Sequence, residues 1–93
     1  SKGGLVNLTR HLAAEWARGG VRVNALAPGY FESEMTQDLF TDERLHAWAT
    51  RQTPMRRTGR EGELDGALLY LASDASSFVT GSVLAVDGGW TAV

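Results

Sequence analysis

The residues from Asn24 to Thr36 read NALAPGYFESEMT, and it is here that residue type and spacing could do chemistry. β-Branched and small apolar residues run from Val21 to Ala27. Pro28 then removes a backbone donor and fixes φ, and Gly29 opens backbone conformations that other residues avoid. A buried parallel strand that stops at such a break makes a ligand site by geometry, because in open α/β sheets ligands bind just beyond the carboxyl ends of the strands. The plainer reading is a strand-ending turn. The long excursion that follows argues against it, since mere connections are short. Ser33 is a candidate N-cap for a helix in that excursion, a role compatible with a hydroxyl contact to a ligand.

Other chemistry-bearing residues point less far. Arg51, Arg56, Arg57 and Arg60 cluster as a phosphate or nucleic-acid patch would, but acidic residues interleave with them and the chain has no basic excess, so a solvated or interface loop is the better reading. His11 and His46 lack a ligand-pair spacing, which argues against a metal site. Asp87, before Gly88 and Gly89, caps the turn after its strand and has no acid/base partner in sequence. Trp16, Trp48 and Trp90 read as core or interface anchors rather than stacking platforms. Lys2, taken alone, is a terminal surface lysine.

The elements that must position these residues follow from periodicity. Leu5, Leu8, Leu12 and Trp16, with Val6, Ala13 and Ala17 widening the stripe, predict a helix from Gly4 to Arg18 with two buried faces, stopped by Gly19 and Gly20. A strand from Val21 to Ala27 follows. Two short helices come next, one from Ser33 to Phe40 and one opened by Thr41, Asp42 and Glu43 and ended by Thr53 before Pro54. After an Arg-rich loop over Met55 to Arg60, Leu64, Ala67, Leu68, Leu71 and Ala72 predict an amphipathic helix with acidic residues at its start. Ser73 to Ser77 breaks it and caps one further turn. Val83 to Val86 is a short apolar run of the kind covered on both faces of a parallel sheet, ended by Asp87 to Gly89. The order is helix, strand, two short helices, helix, strand: one right-handed crossover with a leading helix.

The chain of 93 residues is at most one domain, and at this length folding buries only about 60 to 65% of the unfolded surface. A 43% hydrophobic and 22% charged composition is ordinary for a globular chain and speaks against disorder. Eight Arg and one Lys against 11 acidic residues leave a net charge of -2, which favours no charged partner. The absence of Cys excludes disulfides and thiol chemistry and is compatible with a cytoplasmic setting. No apolar run reaches the roughly 20 residues that span a bilayer. Two strands make a poor independent sheet, so more sheet is expected beside the strand from Val21 to Ala27.

Read together, Ser1 to Leu5, Val21 to Asn24, Pro28-Gly29, Leu71 to Asp74, Gly81 and Val86 to Gly89 resemble the C-terminal part of the short-chain dehydrogenase/reductase family in order and spacing. The resemblance covers all 93 residues as a single partial domain. It implies an α/β fold: the C-terminal portion of a Rossmann-like doubly wound parallel sheet. Among family members the chain looks most similar to those of gluconate 5-dehydrogenase type, with members acting on 3-oxoacyl thioesters close behind.

The resemblance carries roles onto particular positions. Lys2 matches the family's catalytic lysine, which hydrogen-bonds the nicotinamide ribose and lowers the pKa of a tyrosine four residues earlier on the same helix; that tyrosine would lie just upstream of Ser1. Pro28 and Gly29, the backbone at Phe31 and the hydroxyl of Ser33 match the loop that holds the nicotinamide carboxamide of NAD or NADP, with Ser33 standing where many relatives have Thr. Tyr30 and Met35 are implied to line the substrate pocket. Glu61 and Gly62 depart from the usual Pro and acid at the last helix start, outside the chemistry. The implied reaction is hydride transfer between the cofactor and a secondary alcohol or ketone of sugar-acid, polyol or 3-oxoacyl type, with these 93 residues inactive on their own. A homo-oligomer, dimer or tetramer, is implied for the full-length context, with a small-molecule substrate and neither nucleic acid nor membrane as partner. The other reading open to the sequence is a non-catalytic oligomerisation or complementing fragment that binds no cofactor independently.

Overall fold

The leading helix, α1, spans Lys2–Trp16 and closes through a 3₁₀ turn at Ala17–Gly19. Gly20 takes a left-handed conformation (φ 79°) and its N–H returns to the Ala17 carbonyl, so the glycine pair ends the helix as its sequence requires. This computed structural model describes residues 2–31 and 41–92, with Lys2 described in its backbone only. The helix expected from Ser33 to Phe40 lies outside the described residues.

The strand expected over Val21 to Ala27 is shorter. β1 runs over Ala25–Pro28 and pairs with β2, Val83–Val86. Ala25 N–H donates to the Ser82 carbonyl at 2.9 Å and Gly29 N–H to the Val86 carbonyl at 3.0 Å, a constant offset that makes the pair parallel. Residues 21–24 leave the ladder because side chains take over its work. Val23 N–H donates to Thr80 Oγ1 at 3.0 Å; Asn24 Nδ2 donates to the Val79 carbonyl and its Oδ1 accepts from Ser82 N–H, both at 3.0 Å.

Between the strands lie α2, Glu43–Gln52, and α3, Asp65–Ala72. Asp42 caps α2, its Oδ1 accepting from the N–H groups of Arg44 and Leu45, and Thr53 ends it in extended geometry ahead of Pro54. The start of α3 is later than its apolar pattern suggests: Gly62, at φ 88°, holds the preceding residues in a turn. Ser73 then caps a 3₁₀ turn at Asp74–Ser76.

The chain divides into two compact units, residues Ser1–Ala27 with Asp65–Leu84, and Pro28–Leu64 with Ala85–Val93. In the first, Thr9, Ala13 and Ser76 are buried, and Arg22 reaches into a cluster of carbonyls. Its guanidinium donates to Leu71 O (2.9 Å), Val79 O (3.2 Å) and Ser73 O (3.4 Å) and to Ser76 Oγ (2.9 Å), which satisfies acceptors left over at the C-terminal end of α3. In the second unit, Ala49 and Thr53 are buried.

Burial departs from expectation in three places. α1 buries one narrow stripe rather than two faces, with Leu5, Leu8 and Trp16 exposed. α3 buries no residue fully: Ala67 and Leu71 are half-buried, whereas Leu68 and Leu69 are 59% and 68% exposed. β2 is half-covered rather than enclosed, with Ala85 exposed.

Candidate functional site

The second unit contains the carboxyl ends of both strands, and backbone approach there is close. Gly29 has no left-handed φ, so the conformational freedom expected of it is not what the site uses. Space is: a Cβ at Gly29 would lie 2.8 Å from Asp87 Cα and 3.2 Å from the Asp87 carbonyl oxygen. Beyond it, Phe31 forms a parallel bridge with Gly59, and Gly59 N–H donates to the Tyr30 carbonyl at 2.7 Å. A side chain on Gly59 would run into the Phe31 ring. The connection after α2 is tied on by Met55 N–H to the Gly88 carbonyl (3.0 Å) and by a turn at Thr53–Arg56 with Pro54 at its first corner.

Asp87 caps the turn that closes this end. Its Oδ1 accepts from Gly89 N–H (3.0 Å) and its Oδ2 from Thr91 N–H (3.1 Å), while Gly88 and Gly89 adopt positive φ of 63° and 95°. The capping role read from sequence is the one observed.

These segments enclose a cavity of about 180 Å³. Tyr30 and Phe31 wall it from the end of β1, Val86 from β2, and Thr53, Met55 and Thr58 from the connection. Of its charged residues, Asp87 is the turn cap just described, and Arg57 and Glu63 are engaged with each other. Arg57 donates through both terminal nitrogens to Glu63, at 2.7 and 2.9 Å, and Glu63 also accepts from Arg60 N–H at 2.6 Å. Those hydrogen bonds, from Arg57 first and Arg60 second, hold the Glu63 carboxyl down to about 2. Arg57 shifts upward in turn through its bond to Glu63.

Three aromatic rings form a closed edge-on triangle in the same unit. Tyr30 lies 4.9 Å from Trp90 and 5.8 Å from Trp48, and the two tryptophans are 6.0 Å apart, with interplanar angles of 63° to 77°. Of the three tryptophans expected to be anchors, Trp48 and Trp90 pack in this way, with Trp48 still 41% exposed, while Trp16 is 46% exposed. What sequence did not disclose is that Trp48 and Trp90 anchor Tyr30.

The residues singled out from sequence are placed as follows. Pro28 ends β1, and Gly29, Tyr30 and Phe31 follow it at once, with Tyr30 and Phe31 on the cavity wall. Lys2 opens α1 in the first unit. Ser33 and Met35 lie outside the described residues. In the Arg loop, Arg57 is ion-paired with Glu63 and Arg56 donates to the Arg51 carbonyl. Among the described residues, no three His, Cys, Asp or Glu group as a metal site and no helix is long and apolar enough to cross a membrane. Gly59 and the Arg57–Glu63 pair were missed: each depends on a partner across a loop, which no periodicity signals.

A family model described as Enoyl-(Acyl carrier protein) reductase matches residues 1–91. The chain is 50% identical over 91 residues to gluconate 5-dehydrogenase of Gluconobacter oxydans and 55% identical over 91 residues to galactitol 2-dehydrogenase (L-tagatose-forming) of Cereibacter sphaeroides, covering 98% of this chain in each case. Both matches span 36% of the relative, so the chain has about a third of their length. Among solved structures, gluconate 5-dehydrogenase from Burkholderia cenocepacia, in complex with NADP and tartrate, superposes with a TM-score of 0.91 at 47% identity, over 99% of this chain and 36% of that one.

Proposed function

The chain belongs to the short-chain dehydrogenase/reductase family, and on that premise we propose that it is the C-terminal segment of an NAD(P)-dependent oxidoreductase that interconverts a secondary alcohol and a ketone. The observation that carries this reading is the cavity beyond the carboxyl ends of two parallel strands, walled by the Tyr30–Phe31 turn. Its lining of apolar faces, with the Arg57 and Glu63 charges spent on each other, suits the un-ionised part of a small organic substrate.

A bound nicotinamide dinucleotide supplies the hydride chemistry. The Phe31 backbone and the Ser33 hydroxyl would hold its carboxamide, with Pro28 and Gly29 bringing the chain tightly around the strand end. Lys2 would hydrogen-bond the ribose and favour the ionised form of the family's tyrosine, which would take the alcohol proton while the cofactor accepts the hydride. Tyr30 and Met35 are the residues proposed to line the substrate pocket. The similarity to gluconate and galactitol dehydrogenases favours a polyol or sugar acid over a 3-oxoacyl thioester. The lack of Cys fits a cytoplasmic enzyme.

The test is a chimera in which this chain replaces the matching segment of the Burkholderia cenocepacia enzyme. The expected result is gluconate oxidation with NADP⁺ by the chimera and none by the isolated 93 residues. A folded but inactive chimera, or turnover by the isolated chain, overturns the reading.

A second reading has its own observation. Leu68, Leu69, Tyr70 and Phe78 of the first unit are 41% to 102% exposed, more apolar surface than a free monomer tolerates well. A chain acting only in assembly would form defined oligomers on a sizing column without quenching or enhancing NADPH fluorescence.

A further inference from the structure

The cavity at the strand ends has an arrangement that bears on which substrates it can hold. A carboxylate-binding wall needs a cation with an unsatisfied donor. Arg57 instead gives both terminal nitrogens to Glu63, and one of them also reaches the Thr58 carbonyl at 3.1 Å. Glu63 accepts from Arg57 and from Arg60 N–H, and the Thr53 hydroxyl donates to the Ala49 carbonyl at 2.8 Å. The Asp87 carboxylate is likewise taken up by the N–H groups of Gly89 and Thr91. With those groups occupied, Tyr30 and Thr58 are the neutral hydrogen-bonding side chains on a wall that includes Phe31, Met55 and Val86, and of the two Tyr30 is the larger and the one packed against other rings.

Tyr30 is also held more firmly than a loop residue ordinarily is. Its ring packs edge-on against Trp90 at 4.9 Å and Trp48 at 5.8 Å, and those two rings meet each other at 6.0 Å. The three come from separate stretches: the turn after β1, the middle of α2 and the turn after β2. Such contacts each contribute about 0.5–1.5 kcal/mol beyond area burial and fix ring orientation. A phenol fixed in this way gives a hydrogen bond at little entropic cost, which is how preorganised sites gain selectivity.

We propose that Tyr30, held by Trp48 and Trp90 as positioning residues, selects polyhydroxylated substrates by hydrogen-bonding a hydroxyl beside the reacting carbon. The proposal rests on the dehydrogenase reading and adds the substrate feature that this wall reads: a neutral hydroxyl rather than an ionised group.

The experiment uses the chimera with two alcohols that place a carboxylate and a secondary hydroxyl alike, gluconate and 5-hydroxyhexanoate, the second lacking the flanking hydroxyls. For each, kcat/KM is measured, or, where 5-hydroxyhexanoate turns over too slowly, its inhibition constant against gluconate. Tyr30→Phe is expected to lower kcat/KM for gluconate about tenfold, mainly through KM, the size of one net hydrogen bond. The constant for 5-hydroxyhexanoate should stay within twofold. Trp90→Ala should reproduce that selective loss together with a reduced near-ultraviolet circular dichroism signal, and Trp90→Phe should restore most of both. An equal loss on both alcohols, or no loss on gluconate, overturns the proposal while leaving the dehydrogenase reading intact. An unsubstituted chimera that oxidises neither alcohol overturns both.

Discussion

At the residue scale, two positions carry consequences that follow from distance alone. Gly29 sits against the Asp87 backbone, which cannot rotate away as a side-chain tip would. Gly29→Ala therefore forces β1 and β2 apart at their carboxyl ends, and we expect a loss of about 1–3 kcal/mol, read as a lower urea midpoint with unchanged slope. Glu63 offers a pH-dependent test. Its carboxyl is held at about 2 in the folded chain against an ordinary value of 4.5, so its contribution is complete above pH 4.5 and is lost as pH falls from there toward 2. Glu63→Gln should consequently show a shallower fall in Tm between pH 5 and 3 than the unsubstituted chain. Because the pair is at the surface, added salt should narrow the difference.

At the element scale, side chains decide where strands and helices stop. Arg22 gathers three carbonyls and a hydroxyl about the end of α3, and we expect Arg22→Met to cost about 2–3 kcal/mol by leaving those acceptors unmatched. Asp42→Ala, which removes the α2 cap, should cost about 1 kcal/mol. Thermal melts followed by circular dichroism measure both. These elements also show what sequence makes legible. The caps at Asp42 and Ser73, the Gly19-Gly20 stop and the Asp87 turn are local, made by residues within a few positions of each other, and each was readable. The length of β1 was not, because Thr80 and Asn24 replace ladder bonds across 55 to 58 positions of chain. The same holds for the site. Pro28 to Phe31 announced itself through composition, whereas the ring triangle and the Gly59 bridge exist only once three loops meet. Helical periodicity likewise placed Leu8 and Leu68 on apolar stripes but did not signal that they would be left exposed.

At the scale of the whole molecule, the chain is a family member of about a third of its relatives' length, with few fully buried side chains and apolar faces on α1 and α3 open to solvent. Its two described strands place a cavity at their carboxyl ends, and its identity to sugar-acid and polyol dehydrogenases supports the chemistry proposed for that cavity. The central claim is that these residues supply one side of a nicotinamide-dependent active centre, with Lys2 as the residue that promotes proton transfer. The most direct measurement is kcat for gluconate oxidation by the chimera with and without Lys2→Met. A fall of about 10²- to 10⁴-fold, the size of a lost acid/base contribution, is the expected result. An undiminished kcat would contradict the account.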